Sequence, residues 1–186
     1  MTIPHSHVKF TYEDYLLFPD DRKRHELIDG DHYVTPAPKT KHQIISMNLA
    51  NLLHVHVQRT KAGRVFSAPT DVVLSDLDVV QPDLLFISTA RASLITEKNI
   101  QGPPDLVIEI LSETTRRTDE IIKRKLYEHY EVSEFWIVDP ELDTVKVYRL
   151  AGGRYHRAAE LDKESGNVLT TPLLPDLQLS LTALFE

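Results

Sequence analysis

Apolar residues come in a near-unbroken run between positions 104 and 112, Pro104-Asp105-Leu106-Val107-Ile108-Glu109-Ile110-Leu111-Ser112. A run of this kind predicts a central β-strand covered on both faces. Side chains alternate along a strand, so Asp105, Val107 and Glu109 share one side. A second run, Val79-Val80-Gln81-Pro82-Asp83-Leu84-Leu85-Phe86-Ile87, has the same form and predicts another strand over 79–87. Upstream, the period of three and four in Ile44, Ile45, Leu49, Leu52, Leu53, His56 and Val57 predicts a helix over 40–60, with Gly63 as its C-terminal cap. Thr11 and Asp14 cap a short helix over 10–18, which Pro19 ends. Asp29-Gly30 supplies the turn of a hairpin over 25–34, followed by the rigid connector Thr35-Pro36-Ala37-Pro38. Residues 88–102 are polar and partly helical.

After residue 112 the pattern predicts a helix over 119–130. Thr118 caps it, and Ile122, Leu126 and Tyr130 form its buried row, with Lys125 at the row's edge. Glu134-Phe135-Trp136-Ile137-Val138-Asp139-Pro140 is a further inner strand, and residues 144–150 its hairpin partner. Gly152-Gly153 turns the chain back. Two more strands and a short docking helix around Leu181, Leu184 and Phe185 complete the tail. A central helix, strands and a crossover helix indicate a single α/β domain over 1–186.

Composition narrows the chemistry. No cysteine is present, which removes disulfides, thiolate zinc sites and cysteine nucleophiles together. No apolar run is long enough to span a bilayer, and the first residues lack a signal-peptide core, so a cytoplasmic protein with no membrane association is expected. Net charge is −7, which argues against a general nucleic-acid coat but not against an enzyme whose acidic residues hold cations. Of the nine histidines, His54 and His56 do not face one another on a helix, and His5 and His7 fall in an amino-terminal stretch expected to be mobile. Zinc is set aside.

Charge inside apolar strands carries the functional signal. A buried carboxylate costs several kcal/mol unless it is paired, protonated or bound to a cation. Asp83 and Glu109, on two such strands, suit a hard divalent ion, and a nearby lysine would steady an attacking hydroxide. Glu26 on the first hairpin would serve a second cation or orient the first. His42 would contact a phosphate or orient a carboxylate. The plainer readings stand beside these: a structural ion pair for Asp83 and Glu109, a surface lysine for Lys125, a strand-start cap for Asp105 and a helix-start acid for Asp119. Arg116-Arg117 and Arg22-Lys23-Arg24 would grip phosphates, or lie in solvated loops.

Taken together, His25-Glu26-Leu27-Ile28-Asp29-Gly30, Pro36 with His42, Gln81-Pro82-Asp83-Leu84, the 104–112 run with Thr115, Asp119, Lys125 and Tyr130, and the 134–140 strand resemble the bacterial putative restriction endonuclease family. That family was long catalogued as a domain of unknown function and is numerous in cyanobacteria. The resemblance covers nearly the whole chain. It implies the PD-(D/E)XK restriction-endonuclease-like fold, a mixed central β-sheet flanked by helices, and Mg²⁺- or Mn²⁺-dependent hydrolysis of DNA, less readily RNA, by a homodimer. Asp83 and Glu109 with the carbonyl of Ile110 become the metal ligands. Leu111 stands where the fold's usual lysine would be, so the lysine is expected from the next helix, as Lys125. Glu113 and Glu131 replace a proline and a glycine common in the family. The alternative is a nuclease fold kept as a binding or regulatory module.

Overall fold

In a computed structural model, residues 8–186 are described; His5 and His7 lie outside them. The larger sheet has six strands in the order β11-β10-β9-β8-β6-β3. They span Gly63–Ser67 (β3), Leu84–Ser88 (β6), Leu106–Ile110 (β8), Glu134–Asp139 (β9), Thr144–Ala151 (β10) and Arg154–Asp162 (β11). The β8–β9 pair is parallel and the other neighbours are antiparallel. A parallel pair needs a crossover. Here residues 111–133 supply it, with a π-helical turn Thr118–Lys123 running into helix α3, Arg124–His129.

Alternation along β6 and β8 divides the core into two layers. Leu84, Phe86, Leu106, Ile108 and Ile110 face helix α2, Thr40–Thr60, through Ile45, Leu49, Leu53 and Val57. Leu85, Ile87, Val107 and Leu111 face the other way, towards Leu126 and Tyr127 of α3 and a second sheet. That sheet runs β2-β1-β5-β4-β7, from Arg24–Ile28 (β1), Asp31–Thr35 (β2), Val72–Val73 (β4), Val79–Val80 (β5) and Ile100–Gln101 (β7). The strands Val168–Thr171 (β12) and Leu174–Ser180 (β13) and the helix Leu181–Phe185 (α4) close the α2 side.

The first helix, α1 (Tyr12–Tyr15), carries the expected capping box between Thr11 and Asp14. Asp29 and Gly30 turn the first hairpin with φ of 50° and 71°. Three local expectations fail. The 79–87 run is two short strands in different sheets, because Pro82 has no N–H for a ladder and the chain changes sheets across Gln81-Pro82-Asp83. Thr118 does not cap the crossover helix; the chain already turns helically at Arg116, whose N–H reaches the Ser112 carbonyl at 3.0 Å. Lys61, at φ 57°, ends α2 in place of Gly63. Gly63 instead opens β3, where an added Cβ would sit 2.0 Å from the Ile87 carbonyl oxygen. Gly63→Ala is therefore expected to destabilise the fold by about 3 kcal/mol, the upper range for overpacking, read from urea unfolding.

Candidate active site

Glu109 occupies β8 at a position whose neighbours on the same face, Val107 and Leu111, are buried in the apolar layer. Its strand neighbour is β6, with Leu84 opposite Ile108, so Asp83 just before β6 reaches the same end of the sheet. From the second sheet, β1 brings Arg24 and Glu26. The crossover brings Asp119 and Lys123, and α2 brings His42. These residues line one cavity of about 130 Å³, together with Pro36, Ile110 and Thr115. Asp83, Glu109, Glu26, Asp119 and Lys123 are each 2–4% exposed.

Asp83 is fully engaged. Its Oδ1 accepts from Arg24 Nη1 at 2.6 Å, and its Oδ2 accepts from the Ile110 N–H at 2.8 Å and lies 3.1 Å from His42 Nε2. Burial alone would raise this carboxyl, but His42, Arg24 and the Ile110 N–H together bring it down to about 2. Of the two roles expected for His42, the contact is with the carboxylate. Its Nδ1 is buried without a partner among the described residues.

Lys123 forms the other half of the cavity. Its ammonium donates to Glu26 Oε1 at 2.8 Å and Glu109 Oε1 at 3.1 Å, and lies 3.7 Å from Asp119 Oδ1. Burial works against its charge, yet Glu109, Glu26 and Asp119 outweigh that and hold it well above the ordinary lysine range. The Tyr127 hydroxyl donates to Glu109 Oε1 at 2.7 Å, and the Gln81 N–H donates to Glu26 Oε1 at 2.8 Å. Burial, with Asp119, Asp83 and Glu26 nearby, pushes Glu109 up to about 8 despite Lys123. Burial likewise lifts Asp119 to about 6, against the pull of Lys123 and a hydrogen bond from Thr115.

The structure corrects the lysine. Lys125 is exposed and lines no part of the cavity; Lys123 is the buried lysine in its lining, with exposed Lys39, paired to Glu113, also lining it. The buried polar row of the crossover is Asp119, Lys123 and Tyr127, spaced by four and one position round from the Ile122–Leu126–Tyr130 row. Tyr130 faces away from the cavity, to Asp78 at 2.7 Å. Asp119 is no exposed helix-start acid. Arg116, expected on phosphate, is held by both oxygens of Asp139, at 2.6 and 3.2 Å, and by Glu141. Arg117 is exposed outside the cavity. Asp105 follows its plainer reading, accepting the Ser88 N–H at 2.7 Å. Glu26 and Glu109 line the cavity as expected, and so does Ile110. Lys123 and Tyr127 have no role in the sequence reading, Asp119 only that of a helix-start acid within the family pattern and Arg24 only that of a phosphate-gripping or solvated run, although the i, i+4 repeat of Asp119, Lys123 and Tyr127 groups three of them.

A family model described as Uma2, putative restriction endonuclease, matches residues 12–182. The chain belongs to this family. Its fold is also that of a crystal structure of a putative nuclease belonging to DUF820 from Anabaena variabilis. The TM-score is 0.80 at 24% identity, covering 95% of this chain and 97% of that one. No curated protein matches the chain. No helix among the described residues is long and apolar enough to cross a membrane.

The family's expected divalent ion meets a suitable donor set and a charge deficit. Four buried carboxyl groups, Glu26, Asp83, Glu109 and Asp119, face two fixed cations, Arg24 and Lys123. Oxygen donors with an excess of negative charge suit Mg²⁺ or Mn²⁺. In the described residues the acids are drawn onto Arg24 and Lys123, and no three of them form a ready metal cluster.

Two outcomes follow from this geometry. Lys123→Met leaves three acids without their cation and is expected to cost about 3–5 kcal/mol, whereas Lys125→Met stays within about 0.5 kcal/mol; paired urea melts read both. Glu109 binds its proton more tightly folded than unfolded. Its contribution is complete below about pH 4.5 and is lost as pH rises towards about 8. Without divalent metal, the melting temperature is expected to fall between about pH 5 and about pH 8, and Glu109→Gln is expected to flatten that fall. An unchanged slope in the variant contradicts the assignment.

Proposed function

We propose that this chain is a divalent-metal-dependent endonuclease that hydrolyses DNA phosphodiester bonds. The observation that carries the reading is the convergence of Asp83, Glu109, Glu26 and Lys123, from separate elements, on one buried cavity with too few cations of its own. Asp83 and Glu109, with the Ile110 carbonyl, would hold the cation. When bound, such an ion supplies an acidified water and polarises a phosphoryl oxygen. Glu26 and Tyr127 position the remaining groups: Glu26 anchors Lys123, and Tyr127 fixes the rotamer of Glu109. The Lys123 ammonium then has a donor to offer the developing negative charge at the phosphate. His42 holds Asp83 in place. The pairing of two copies rests on the resemblance alone.

A second reading has one observation in its favour. Asp83 already has Arg24 and Glu109 already has Lys123, so the site is self-satisfied as it stands, as in a binding module that performs no turnover. Plasmid DNA incubated with Mg²⁺ or Mn²⁺ separates the two. The nuclease reading expects metal-dependent nicking or linearisation, lost in Glu109→Ala, and a higher melting temperature with millimolar metal by mass action. Cleavage that persists in Glu109→Ala rejects the residue assignment. No cleavage and no metal-induced shift favours the module.

A further inference from the structure

A groove of about 400 Å³ adjoins the candidate site and shares Arg24 and the Thr35–Pro38 connector with it. Its lining includes Arg22, Lys23, Arg24 and Gln43, and Asp20 is the one acidic side chain among them. In a chain of net charge −7, a channel with this balance stands out. Each basic run has one arginine held by acids, Arg24 on Asp83 and Arg116 on Asp139 and Glu141; the runs differ in place, since Arg22, Lys23 and Arg24 line the groove while exposed Arg117 lines neither space. Arg22, with φ 64°, has no ionic partner among the described residues. Among the described residues Lys23 pairs with Asp21 alone, at 3.1 Å on the surface, and Asp21 also lies 2.9 Å from His25. An exposed pair of that kind is screened by solvent and yields to a phosphate.

We infer that this groove is the path of the nucleic-acid backbone into the site, with Arg22 and Lys23 on flanking phosphates and Arg24 at the junction. Arg24 lines both spaces, and its guanidinium already lies on Asp83 at 2.6 Å. A phosphate entering from the groove meets it next to the proposed metal ligand. The planar fork of arginine suits a phosphate as well as a carboxylate. The inference rests on the nuclease reading and extends it by giving the substrate a side of entry.

The test is fluorescence anisotropy of a labelled DNA duplex and of the same single strand, with the full chain in Ca²⁺ across a salt series. The double variant Arg22→Glu/Lys23→Glu is expected to bind about tenfold or more weakly, with the slope of log affinity against log salt reduced by about two. Arg117→Glu, on the competing basic run, is expected to bind as the parent does. Melting curves confirm that each variant is folded. DNA bound equally by the parent and the double variant overturns the groove and leaves the nuclease reading standing. So does an equal loss in Arg117→Glu. A parent that neither binds nor cuts DNA overturns the nuclease reading, and the groove with it.

Discussion

One buried ammonium ties the site together. Lys123 lies between Glu26 of the first hairpin and Glu109 of the central sheet, with Asp119 one helical turn behind it. No local sequence rule brings these groups together, since Lys123 and Glu26 are 97 positions apart. Burying ions is costly, and removing one partner leaves the others uncompensated. The contact therefore fixes how the small sheet and the crossover sit against the large sheet at this end of the molecule. It is also insufficient: even with Arg24 counted, the acids outnumber the fixed cations. The fold sets four carboxyl groups against two fixed cations, and without metal the proton that Glu109 retains makes up part of the difference.

The rest of the architecture positions that imbalance. Alternation along β8 puts Val107 and Leu111 in an apolar layer and Glu109 between them. Antiparallel pairing with β6 delivers Asp83 beside it. The change of sheet at Gln81-Pro82-Asp83 lets the Gln81 N–H hold Glu26 while Asp83 turns to Arg24 and His42. The crossover demanded by the parallel β8–β9 pair carries a π-helical turn where Asp119 and Lys123 enter the cavity. Turns of this wide kind recur at functional sites because they re-aim side chains without ending a helix.

Much of this was legible in the chain. The helix over 40–60, the Asp29-Gly30 hairpin and the strand around Glu109 follow from period and turn chemistry, and they appear as expected. The same pattern pointed to Asp83 and Glu109 as carboxylates out of place in apolar runs. The crossover lysine is hard to place from sequence for a physical reason. Ile122, Leu126 and Tyr130 make a better apolar row than Asp119, Lys123 and Tyr127, and a buried polar row looks like a solvated face until its partners are known. Those partners, Glu26 and Glu109, come from β1 and β8. Arg24 and Arg116 hid their roles in the same way. Both belong to basic runs, but Arg24 pairs with Asp83 across 59 positions and Arg116 with Asp139 across 23.

Whether a divalent cation joins Arg24 and Lys123 against the four buried acids decides what the cavity is for. Anomalous diffraction from crystals grown in millimolar Mn²⁺ addresses this directly. The expected result is a manganese peak ligated by Asp83, Glu109 and the Ile110 carbonyl, with the Arg24 guanidinium moved off Asp83. A map with no manganese in the cavity and the Arg24–Asp83 and Lys123–Glu109 pairs intact would contradict it.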